Sequence, residues 1–79
     1  MPFNDILTEE LNMLLRFNPA NHMTGIKVHH TAEANHIAAI RRLYQKGLVT
    51  QEDGGYLTEL GCDAVDNVHK MLSIIQPTH

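Results

Sequence analysis

The stretch from Asn35 to Gly61, NHIAAIRRLYQKGLVTQEDGGYLTELG, constrains the fold more than any other part of the chain. Its first half reads as a helix that stops at Gly47, where glycine takes the left-handed closing conformation without a steric penalty. Leu48-Val49-Thr50 is β-prone, Asp53-Gly54-Gly55 is a hairpin turn signal, and Tyr56-Leu57 returns as the partner strand. Thr58 stands where the cap of a following helix belongs. The order is helix, β-hairpin, helix.

The flanking segments extend this pattern. Leu7, Leu11, Leu14 and Leu15, with Met13 and Phe17 beside them, predict a first helix from about Asn4 to Phe17. Asn4 is its expected N-cap, Pro19 bars its continuation, and Asn18 to Gly25 reads as a polar loop. Ile26-Lys27-Val28-His29 alternates apolar with polar residues and predicts a short strand that pairs with the hairpin. Thr31 is the expected cap of the second helix, which places His36, Ile37, Ile40, Leu43 and Tyr44 on one side. Asn35, Ala38, Arg42, Gln45 and Lys46 fall on the other, with Arg41 at its flank. A third helix is predicted from about Glu59 to Ile75, with a stripe of Val65, Val68, Leu72 and Ile75, and it ends before Pro77. No repeat, low-complexity tract or long linker interrupts residues 1–79, which read as one domain. The expected class is α+β, mostly helical and winged-helix-like: three main helices with a two- to three-stranded antiparallel β-hairpin wing.

Bulk properties narrow the function classes. With 79 residues and 43% hydrophobic content, the chain predicts a small core and excludes overall disorder. The absence of a membrane-length apolar run or a signal-peptide layout gives a cytoplasmic expectation. A single cysteine, Cys62, forms no internal disulfide, which fits a reducing compartment. The formal net charge is −3, against the basic footprint usual for DNA-binding domains. Its distribution is uneven. Lys27, Arg41, Arg42 and Lys46 face only Glu33 in the middle third, while both ends are acidic, so a basic face suits phosphates or an acidic partner protein.

Arginine pairs bidentately with guanine, and asparagine or glutamine with adenine, through the major groove. The outward face of the second helix is therefore the candidate DNA-binding surface: Asn35, Ala38, Arg41, Arg42, Gln45 and Lys46, with Lys27 and His29 on the phosphates. Ala38 and Ala39 are small enough for close approach to a groove floor. Glu52 and Asp53 place negative charge in the turn, where a wing contacts phosphate, and oppose that reading. Six histidines invite a metal interpretation, but His29 and His30 would point to opposite faces of a strand, and no helical His-x-x-x-His occurs. No metal or cofactor is expected, and His36 reads as a packed histidine. Glu59, Asp63 and Asp66 oppose ionisation of Cys62, which reads as a structural or incidental thiol rather than a redox sensor. No phosphate-binding loop or nucleophile elbow is present, so the chain reads as a non-enzyme.

Arg42 to Val49, followed by Gly55 to Gly61, resembles the recognition-helix-to-wing passage of MarR-type winged-helix regulators. In these, a leucine-bearing helix ends in Lys-Gly-Leu-Val and the second wing strand in Leu-Thr-x-x-Gly. The opening Met-Pro-Phe, Gly25 to His30 and Gly54 to Thr58 are similar to a small uncharacterised bacterial family whose members are labelled DNA-binding proteins or transcriptional regulators. The resemblance implies a DNA-binding protein and regulator. The alternative is a winged-helix protein–protein interaction module without DNA binding. A homodimer through the third helix is also expected, because Met71 and Ile74 widen its stripe beyond what one small core needs. Only His30 to Asn35 separates the first strand from the second helix, leaving room for one turn where the regulators carry a bracing helix.

Overall fold

Asn4 opens the first helix, its Oδ1 accepting the Leu7 N–H at 2.8 Å and so satisfying one of the free donors of the first turn. The computed structural model describes residues 4–17 and 25–76. Along them run α1 (Asp5–Leu14), β1 (Ile26–Lys27), α2 (Ala34–Gln45), β2 (Val49–Gln51), β3 (Gly54–Leu57) and α3 (Glu59–Ile75). The fold is α+β and mostly helical, with a three-stranded antiparallel sheet in the order β1-β3-β2. This arrangement is compatible with a winged helix, with one helix between β1 and the hairpin as the short His30–Asn35 spacing requires. The expected loop at 18–24 and the stop at Pro77 lie outside the described residues.

Several boundaries differ from expectation for local physical reasons. Residues 15–17 form a tightened turn, with Arg16 and Phe17 bonding back to Met13 and Leu14, so α1 stops earlier than its apolar stripe does. β1 is shorter than Ile26–His29, although the Val28 N–H still reaches the Asp53 carbonyl at 2.7 Å. Thr31 does not cap α2. A turn closed by Ala32 N–H on the His29 carbonyl delays the helix, and Glu33 stands at the N-cap with no side-chain cap bond. The hairpin turn is Glu52-Asp53 rather than Asp53-Gly54-Gly55, because Gln51 already pairs with Gly54.

Those glycines instead let β3 lie between its two neighbours. Gly54 has φ 129°, and a Cβ there would strike the Ile26 carbonyl of β1. Gly55 has φ 73°, and a Cβ there would strike Thr50 Oγ1 of β2. The register shift between Val49 and Gln51 turns that hydroxyl onto β3, where it accepts the Tyr56 N–H at 3.0 Å.

Met13, Leu14, Phe17, Val28, Ala39, Ile40, Leu43, Val49, Leu57 and Val65 form the core. Val68 borders it at the core end of α3, whereas Ile75, expected in the buried stripe, is 66% exposed. Along its length α3 packs against α1 and β3. Among the described residues no helix is long and apolar enough to cross a membrane.

Candidate interaction face of helix α2

Ala39, Ile40 and Leu43 turn into the core and thereby fix which sides of α2 remain available. Ala39, expected near a groove floor, is instead 0% exposed: it is the small residue that lets α2 sit tightly on the core. The remaining residues of the predicted face divide between two sides. Ala38, Arg41 and Gln45 are exposed. Asn35, Arg42 and Lys46 lie on the side toward α1 and are bonded to it.

The centre of that contact is Glu10, a carboxylate 4% exposed. Arg42 Nε donates to Glu10 Oε2 at 3.0 Å, and Arg42 Nη2 donates to the Ile6 carbonyl at 3.3 Å. Arg42 Nη2 also lies 3.8 Å from Glu9 Oε2, and Asn35 Nδ2 reaches Glu9 Oε1 at 3.5 Å. Lys46 Nζ donates to the second Glu10 oxygen. Burial by itself pushes the Glu10 carboxyl up. The hydrogen bonds and charges of Lys46 and Arg42 together outweigh it and hold the group below its ordinary range. A buried carboxylate with two cationic partners is a satisfied site, and it engages Arg42 and Lys46, two of the three cations that α2 brings to the predicted face.

The sequence signal for Glu10 was its spacing with Met13, Leu14 and Phe17, which places it on the buried side of α1. Periodicity read through the leucines alone passed over it.

Arg41 faces a different environment. Together with Lys27, His29 and His30 it borders an open cleft of about 970 Å³ between α2 and the hairpin. Ile37, Ile40, Tyr44 and Val28 supply the apolar lining, and Glu52 and Asp53 close the hairpin side. The formal charges of the lining balance, with Lys27 and Arg41 against Glu52 and Asp53 and both histidines counted as neutral. The structure therefore brings Lys27, His29 and Arg41 around one cleft, leaves Ala38 and Gln45 on the adjoining exposed surface, and joins Asn35, Arg42 and Lys46 to α1. Among the described residues, no three His, Cys, Asp or Glu side chains gather as metal ligands would.

The chain belongs to the family of unknown function DUF5669, whose sequence profile matches residues 1–76. No curated protein and no solved structure matches it.

Proposed function

We propose that this member of a family of unknown function is a non-enzymatic protein-interaction module whose cleft between α2 and the hairpin receives a segment of a partner protein. The observation that carries this reading is the engagement of Arg42 and Lys46 by Glu10. Binding to nucleic acid draws on cations that can exchange counterions for phosphates, and these two already hold a carboxylate. The cleft that remains has an apolar lining and a rim of both signs. Such a surface suits a peptide presenting an apolar side chain flanked by opposite charges better than it suits a polyanion.

A peptide-display selection tests the reading. Selected peptides should bind the wild-type protein and lose binding to Tyr44→Ala and Arg41→Glu, while a surface change outside the cleft, Asp66→Asn, leaves binding intact. Peptides indifferent to both cleft changes would overturn it.

The second reading is a DNA-binding regulator acting through Lys27, His29, Ala38, Arg41 and Gln45, and it is favoured by the exposure of all five side chains. Fluorescence anisotropy against random duplex DNA separates the two. Binding that weakens with salt and is reduced by Arg41→Ala supports the regulator, and no binding at low salt supports the protein partner.

A further inference from the structure

The outward line of α3 has a reciprocal pattern that neither the core nor the cleft uses. Leu60, Asn67 and Ile74 recur at two-turn spacing, with Asp63 and Lys70 between them on the same face. Leu60 is 56% and Ile74 72% exposed, and Asp63, Asn67 and Lys70 are exposed as well. None of the cleft lining belongs to α3, so pairing through this face is independent of how that cleft is used.

We propose that this face binds a second copy of the chain, with the two α3 helices antiparallel about a two-fold axis at Asn67. In that register Leu60 packs on the partner's Ile74, and Asp63 lies within reach of the partner's Lys70. The operation repeats both contacts, as an isologous interface requires. Parallel pairing in register would instead set like charges against each other at positions 63 and 70. The face is thus self-complementary in the antiparallel direction and not in the parallel one, which favours a second copy as its occupant. Asn67 meets its own copy at the axis, where two side-chain amides can donate and accept reciprocally. A helix of 17 residues is about 25 Å long. A single helix face of this length is small beside the ~800 Å² per partner of a standard stable interface, so a weak, concentration-dependent association is expected.

Sedimentation equilibrium from micromolar to about millimolar protein tests the dimer on the full chain. The wild-type protein should follow a monomer–dimer equilibrium, and Ile74→Glu should be monomeric while keeping its circular dichroism spectrum. Asp63→Lys or Lys70→Asp alone should weaken association roughly tenfold, and the two together should restore it to within about threefold of wild type. A wild-type monomer throughout, or single reversals that the double variant fails to rescue, would overturn the proposal. Oxidative cross-linking in a Cys62→Ser background gives a second readout. Asn67→Cys should form a covalent dimer readily, whereas Leu60→Cys should not, because its two copies lie about 20 Å apart. Equal cross-linking at both positions overturns the register.

Discussion

Glu10 and Arg42 meet across the α1–α2 interface with Nε 3.0 Å from Oε2, although 32 residues separate them. The pair joins the opening helix to the helix that precedes the hairpin. It also distinguishes two adjacent arginines that look equivalent in sequence.

Arg42→Ala should therefore destabilise the fold by roughly 1–3 kcal/mol, since it leaves a buried carboxylate with one partner. Glu10→Gln should cost a similar amount. Arg41→Ala should stay within about 0.5 kcal/mol of wild type, its side chain being exposed. Urea unfolding at neutral pH measures all three. An Arg41/Arg42 double alanine variant would confound binding with stability, so cleft function is best read from Arg41 alone.

The same carboxylate sets an acid limb. Its pKa is lowered in the folded state from the ordinary 4.5, so its contribution is complete above that value. Stability should fall as pH drops below 4.5 and through the depressed folded value, where protonation cancels the attraction to Lys46 and Arg42. Glu10→Gln should flatten this part of the stability–pH curve. An unchanged acid limb in that variant would assign it to other carboxylates.

Thr58 links the hairpin to α3. Its hydroxyl donates to the Gly47 carbonyl at 2.6 Å and accepts the Gly61 N–H at 3.0 Å, while its own N–H bonds the Leu48 carbonyl. Thr58→Ala should cost about 1–2 kcal/mol in thermal or urea unfolding, and Thr58→Ser should recover most of it. Gly61→Ala should cost about 1–3 kcal/mol, because its Cβ would fall on the Leu48 carbonyl rather than on a side chain that could yield.

His69 Nε2 is buried and has no hydrogen-bond partner among the described residues. Replacing such a nitrogen with carbon removes an uncompensated desolvation cost. His69→Leu should raise stability by about 1 kcal/mol, measured as a shift in the urea midpoint at constant slope. A loss of stability would mean that the ring's packing outweighs its orphaned nitrogen.

Burial, followed by the charges of Asp66, Asp63 and Glu59, pushes the Cys62 thiol up. Alkylation by iodoacetamide at neutral pH should be slower than for a free thiol, and Asp66→Asn should accelerate it. Equal rates for the two proteins would remove the electrostatic part of this account.

Legibility in the sequence followed the range of the interaction. Asn4 and Thr58 are caps that act over three residues, and both were readable from residue type and position. Gly47 has the positive φ its place after a helix demanded. The hairpin was also legible, but its turn was displaced to Glu52-Asp53 because contacts from β1 and β2 require the glycines inside the strand. Thr31 offered a cap that the preceding turn left unused.

Caps, glycine conformation and apolar spacing act within a turn or two, so the order of elements and their local stops are written in the chain. Which charges on α2 remain available depends on contacts between segments far apart in the chain. A face is exposed or engaged according to what packs beside it, and here α1 brings a buried carboxylate to Arg42 and Lys46 while Arg41 looks onto the cleft. Helical periodicity specifies the direction of each side chain around its own axis; the identity of the neighbour is set by packing between distant segments.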